Sequence, residues 1–323
     1  MNRHIIITLL LIVFTIDSYS QQNPLYSQFT FNRFLFNPAV AGSENLTMLK
    51  LSAYEQWVGF KNAPKFHCIT FDSRIFQDTR KPRRNVRRKY SINKPGTIGI
   101  GVKIFNEIYG PLSNTGIDAT YAYHMKLGNN QLSFGLSSIV SHFRLNSSDV
   151  TLSDDEYDQL IQGNPNKRWV ADFNFGVYTI AESYFAGYSI QHLSQSVLQW
   201  GATSEAEFEI GRVHYLMGGY KYNLNLNVAI EPSMLIKLAE KGRSQMDISV
   251  QTRFKRDYWA GLAYKTGSAI SIFGGLNVTR YYFGYSFDYN LSEIRRFSYG
   301  SHEIMLAVQL GDTAKRYRWL NRY

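Results

Sequence analysis

The sequence predicts an all-β chain: a transmembrane antiparallel outer-membrane β-barrel of about 14 strands, preceded by a non-strand segment at the N-terminus. Three observations carry this. Period-two alternation of apolar and polar residues recurs through the chain in segments of roughly ten residues, the length a tilted strand needs to cross a bilayer. Aromatics are abundant, with 23 Tyr, 21 Phe and 5 Trp making 15% of the chain, yet mean hydropathy is only -0.27. Connections between the alternating segments run short on one side and longer on the other, as in bacterial barrels.

Residues 1–20 have the layout of a signal peptide. Arg3 and His4 form a basic start, IIITLLLIVFTI (5–16) is an apolar run, and Ser18-Tyr19-Ser20 offers small residues for cleavage. The run is too short to span a bilayer as a helix. The mature chain then starts at Gln21 and ends up in the cell outer membrane. Cys68 is the only cysteine, so no internal disulfide holds this exported chain together.

Residues 21–45 follow, including NPLYSQFTFNRFLFNPAVAG (23–42), which has neither helical spacing nor clean alternation. Phe29, Phe31, Phe34 and Phe36 need apolar cover, while Gln28, Asn32 and Asn37 can pair with a polar lumen. With Pro38 they are expected to form a plug at the periplasmic end.

The barrel is expected over 46–311. Its candidate strands are 46–57, 65–76, 96–106, 112–127, 131–143, 168–180, 182–192, 207–222, 224–238, 244–255, 257–265, 268–279, 280–290 and 300–311. In YYFGYSFDYN (281–290), Tyr281, Phe283, Tyr285, Phe287 and Tyr289 oppose Tyr282, Gly284, Ser286, Asp288 and Asn290. In 117–126, Ile117, Ala119, Tyr121, Tyr123 and Met125 oppose Asp118, Thr120, Ala122, His124 and Lys126. Buried helices, whose apolar positions return every three or four residues, do not read this way. Short turns are expected on the periplasmic side, among them a single Asn at 223, and long outer loops at 144–167 and 193–206. A soluble sandwich or propeller would also alternate, but no blade-like repeat is present. Residues 312–323 form a short basic tail.

Net charge is +10, and it is local. Arg80, Lys81, Arg83, Arg84, Arg87, Arg88, Lys89 and Lys94 stand in one acid-free stretch, without which the chain carries +2. That stretch falls on the periplasmic side. It reads as a solvated loop, as a contact for anionic lipid, or as a dock for an acidic periplasmic partner. Nucleic acid is not expected as a partner of an envelope protein.

Enzyme motifs fail on inspection, and no catalytic, cofactor or metal residues are assigned. SHEIM (301–305) lacks a second His at 306, where Leu306 stands. GYSIQ (187–191) lacks the closing Gly of a nucleophile elbow. The acids of SDDEYDQ (153–159) do not have EF-hand spacing.

The opening segment resembles the N-terminal signature of the PorP/SprF proteins of type IX secretion and gliding motility in Bacteroidetes. EQWVGFKNAP (55–64), GIGVKIFNEIYGPL (99–112), LSFGL (132–136) and GSHEIML (300–306) extend the likeness over nearly all the mature chain. The resemblance implies an outer-membrane barrel without an enzymatic task. Such a barrel would anchor or help export a secreted adhesin or a type IX cargo with a C-terminal sorting domain, and would contact periplasmic components and outer-membrane lipid. Gln56, Trp57, Gly59 and Pro64 then read as a partner-facing or structural loop, with Trp57 also suited to an interfacial girdle. The rival functions are an outer-membrane transporter or porin for a hydrophobic or small substrate, and a soluble secreted adhesion domain.

Overall fold

Fourteen antiparallel strands close on themselves, so none of these fourteen has an open edge. The computed structural model describes residues 28–76, 97–146, 167–200, 206–255 and 257–311. In chain order the strands are β1 (Thr47–Glu55), β2 (Lys65–Phe76), β3 (Thr97–Tyr109), β4 (Leu112–Leu127), β5 (Asn130–Leu145), β6 (Lys167–Ile180) and β7 (Tyr184–Gln191). Then come β8 (Val197–Trp200), β9 (Ala206–Glu209), β10 (Val213–Tyr220), β11 (Tyr222–Asn223), β12 (Val228–Ala239), β13 (Gln245–Phe254) and β14 (Tyr258–Lys265). The last three are β15 (Ala269–Val278), β16 (Tyr281–Asn290) and β17 (Ser301–Leu310). Strands β8 and β9 form a separate hairpin, and β11 adds two residues alongside β12. The other fourteen form the barrel. It is closed by β1 on β17, with Thr47 opposite Leu310, and by β10 on β12. Closure pairs the ladder groups of both wall edges, which a bilayer interior demands.

The alternation read from the sequence is the alternation of the wall. Along β4, Ile117, Tyr121 and Tyr123 are exposed while Asp118, Thr120 and His124 are buried. Along β16, Tyr281, Phe283, Tyr285 and Tyr289 face out and Tyr282, Ser286, Asp288 and Asn290 face in. The outer surface is therefore a continuous apolar band. At the end where Thr47 and Leu310 meet, here the terminal end, Tyr220, Tyr222, Tyr258 and Tyr281 stand on that surface. At the far end Trp169, Tyr264 and Tyr289 do so. Aromatics at both rims fit two membrane–water interfaces.

Most strand boundaries fall within three residues of the sequence reading, and two differ more. The segment 207–222 is split: 206–209 belongs to the hairpin, and the barrel strand starts at Val213. The segment from 224 starts late, at Val228, because the Asn225 side chain takes the backbone N–H groups of Asn227 and Val228 and builds a turn. The Asn-Leu alternation there is thus a tip with Leu224 and Leu226 exposed, and the expected one-residue turn at Asn223 is really the connection 221–227. Nor are far-end connections uniformly long. Gly110-Pro111 alone joins β3 to β4, and Gly110 adopts φ 59, a conformation that glycine reaches without strain.

Candidate functional site: the filled bore and the far-end loops

The interior of the barrel is occupied by its own N-terminal segment. Phe29, Phe34, Leu35, Phe36, Ala39, Val40 and Ala41 are buried, as are Gln28, Asn32, Arg33 and Asn37. Two short 3-10 turns, Arg33–Leu35 and Pro38–Val40, compact the segment. Asn37 caps the second: its side-chain oxygen accepts the Ala39 N–H, while its amide donates to the carbonyls of Val177 at 2.9 Å and Tyr188 at 3.2 Å. The segment's open backbone groups are met by the wall. Ser189 donates to the Phe36 carbonyl, Gln191 to that of Leu35, Arg74 to those of Gly42 and Ser43, and the His124 Nε2–H to that of Ala41. Burial of irregular backbone requires pairing of this kind.

Apolar contacts complete the fit. Phe36 meets Tyr215 edge-on at 5.4 Å, and half-buried Phe31 stacks on Trp259 at 5.8 Å. The wall is shaped to receive the segment. A Cβ on Gly135 would overlap the backbone of Pro38 and Ala39, and one on Gly176 would overlap the Asn37 side chain. Wall positions facing the segment lie toward the terminal end, near Arg74, Gly99, His124, Gln131 and Glu231. All six residues expected in a plug (Phe29, Phe31, Phe34, Phe36, Asn37, Pro38) are therefore brought together in the bore.

Charge is buried with partners. Arg33 bridges Glu231 at 2.9 Å and Glu44 at 3.2 Å, and its guanidinium lies 3.9 Å from the Phe185 ring centroid. Lys50 pairs with Asp72 beside the segment, and farther up the bore Lys103 pairs with Asp118 and Lys265 with Asp288 at 2.8 Å. Isolated charges at these depths would be prohibitively costly, so ion pairing sets which side chains face one another.

The loop holding Gln56, Trp57, Gly59 and Pro64 joins β1 to β2 at the far end. The Gln56 N–H donates to the Pro64 carbonyl and closes the loop. Val58 exchanges backbone hydrogen bonds with the β16–β17 loop, donating to Gly300 and accepting from Tyr299. Trp57, half-buried at φ 48, donates its N–H to the Ser301 hydroxyl. The Tyr299 ring lies where a Cβ on Gly59 would stand. Below, Gln56 donates to the Tyr54 hydroxyl at 3.3 Å, and Tyr54 donates to Asp288 at 2.8 Å, so the loop is tied to the buried Lys265–Asp288 pair. Phe60, Phe297 and Tyr299 remain exposed on this pair of loops.

The basic positions Arg80, Lys81, Arg83, Arg84, Arg87, Arg88, Lys89 and Lys94 lie outside the described residues, as do the signal peptide and the tail 312–323. Among the described residues no group of three or more His, Cys, Asp or Glu is placed to hold a metal ion. The sequence reading missed the wall partners Arg74, His124, Gln131, Ser189, Gln191 and Glu231. One signal was available: glycines at inward strand positions, such as Gly135 and Gly176, mark where another piece of backbone comes close.

No curated protein sequence matches this one. Among solved structures the chain is similar to the Ralstonia pickettii toluene transporter TbuX, with 11% identity over 88% of this chain and 93% of that one and a TM-score of 0.45. It is similar to the P. putida toluene transporter TodX at 10% identity over 86% and 93%, also with a TM-score of 0.45. A Rhodopseudomonas blastica porin triple mutant follows at 8% identity over 82% and 99%, with a TM-score of 0.32. The profile of the type IX secretion system membrane protein PorP/SprF family matches residues 18–308, nearly the whole chain. With its closed outer-membrane barrel, the chain belongs to the PorP/SprF family of type IX secretion system membrane proteins.

Proposed function

We propose that this protein anchors or helps export a secreted adhesin or a type IX cargo with a C-terminal sorting domain, and meets periplasmic parts of the machinery at its terminal end. In bacterial barrels both termini lie in the periplasm, which puts the terminal end inward and the loops 56–64 and 291–300 at the cell surface. The observation that carries the reading is the filled bore: the segment from Gln28 to Leu46 is seated by ion pairs, side-chain hydrogen bonds and glycine clearances. A bore built around its own chain leaves no route for a folded polypeptide. The work then falls to the two rims, where the loop pair around Gln56, Trp57, Gly59 and Pro64 is held rigidly and presents Phe60, Phe297 and Tyr299.

Affinity purification from the native outer membrane tests this. A large secreted protein that co-purifies, and is lost on trimming the exposed aromatics, supports it. A barrel that purifies alone and takes up small hydrophobic molecules in liposomes overturns it in favour of a transporter.

A further inference from the structure

On the lipid-facing side of the far rim, two cations face each other. Arg144 is the last residue but one of β5, Lys167 begins β6, and the register makes them direct cross-strand partners. Both are exposed, and both project outward: Arg144 is in phase with exposed Val140 on β5, Lys167 with exposed Trp169 and Phe173 on β6, and both are out of phase with inward Phe143 and Val170. Like charges directly opposite on one face repel. Some other rim cations have carboxylate partners: Lys65 pairs with Glu55, Arg212 with Glu240 and Lys241 with Glu209. Arg144 and Lys167 have no such partner among the described residues.

The next outward pair below is His142 opposite Trp169, with ring centroids 4.8 Å apart and the indole 74% exposed. Trp at this level is the usual mark of the headgroup boundary. Below that, the same two strands present Val140, Leu136 and Phe134 beside Phe173 and Phe175, all exposed and all facing out. The column thus reads, from rim to mid-wall, as two cations with no carboxylate partner among the described residues, an amphipathic ring pair and an apolar track. That is the profile of one lipid molecule with an anionic head.

We propose that Arg144 and Lys167 hold the phosphate of an outer-leaflet phosphoglycolipid, with His142 and Trp169 at its sugar level and the Phe134–Phe175 track under its acyl chains. Arg suits this role because its planar fork meets phosphate oxygens two at a time, and Lys adds a point charge. A single bound phosphate also removes the repulsion across the register. The inference is independent of any cargo-holding role. It needs only the barrel and the orientation that places the far rim outside.

The test uses the purified full chain in neutral detergent, with native mass spectrometry as the readout. The probes are phosphorylated lipid A, the same lipid after enzymatic dephosphorylation, and inorganic phosphate. Phosphorylated lipid A is expected to bind at least tenfold more tightly than the dephosphorylated form. The double variant R144A/K167A, checked for heat-modifiable mobility, should lose roughly 30-fold in that affinity, about fivefold for each surface charge. K241A, which removes an ion-paired rim cation, should change it little. Millimolar inorganic phosphate should not displace the lipid. Equal binding of the two lipids by the unaltered chain, retention of the preference in R144A/K167A, or displacement by inorganic phosphate alone each overturns the proposal. Should the alanine pair fail to fold, R144Q/K167Q carries the same expectation, and the comparison of lipids on the unaltered chain decides without any variant.

Discussion

Arg33 and Glu231, 198 residues apart in the chain, meet inside the barrel toward its terminal end at 2.9 Å, with side chains only 2% and 3% exposed. One belongs to the interior segment and the other to the wall. This pair does what no local interaction can: it fixes the segment's depth in the bore. Replacing Arg33 with Ala takes a cation away from buried Glu231 and half-buried Glu44. A loss of about 3–5 kcal/mol is expected, because a buried charge without its partner is heavily penalised. Urea unfolding in detergent, followed by the loss of heat-modifiable mobility, measures it.

The glycine clearances separate seating of the segment from folding of the wall. Gly135→Leu puts a side chain where Pro38 and Ala39 lie, while leaving the outward face of β5 untouched. The expected product is a barrel that still shows heat-modifiable mobility but whose residues 28–46 have become cleavable by protease. Gly218→Ala on β10 serves as a control, since a Cβ there meets only the Phe185 carbonyl, at ordinary contact distance. Equal resistance of Gly135→Leu and the unaltered chain would show that the segment is not seated as described.

Below the 56–64 loop, Lys265 and Asp288 are coupled tightly enough for a double-mutant cycle. Lys265→Met alone removes the cation from the Asp288 carboxylate, whose side chain is 1% exposed, and should cost about 3–5 kcal/mol. Lys265→Met with Asp288→Leu removes both charges, so the double variant should recover most of the loss. Tyr54 also donates to Asp288, and its lost acceptor limits the recovery. Additive single effects, with no recovery, would contradict the pairing.

The assignment of faces makes a prediction for the wall. Ile272 sits mid-strand on β15, 60% exposed, and should face hydrocarbon. Ile272→Arg is expected to cost about 2–4 kcal/mol of stability in a bilayer, falling toward zero for an Arg at Val278 near the rim. Refolding into lipid vesicles across a urea series reads this depth dependence. An equal cost at both depths would mean that the exposed face is not in lipid.

Strand positions were legible because each wall residue announces its face through its neighbours two places away, as in Tyr281 to Asn290. The split at 206–213 was not, since a hairpin strand alternates just as a barrel strand does. Nor was the tip at 224–227, where Asn225 imitates a strand's polar face while its side chain caps a turn. For the interior, the sequence showed that Phe29, Phe34, Phe36 and Asn37 need cover of both kinds. It did not show who supplies it, because Gly135, Val177, Tyr188 and Glu231 lie about 100 to 200 residues downstream and become neighbours only when the barrel closes. Gln56 and Trp57 stood out as a motif. The tie of Gln56 to Asp288 through Tyr54, and of Trp57 to Ser301, depends on the β1–β17–β16 pairing and has no local signal.

Planar-bilayer recording of the purified, unaltered full chain tests most directly whether the bore is shut by its own N-terminal segment. Insertion without current steps, or with steps far below those of an open porin, is the expected result, and Gly135→Leu should then raise the conductance. Stable porin-sized steps from the unaltered chain would contradict a filled bore and, with it, a role confined to the rims.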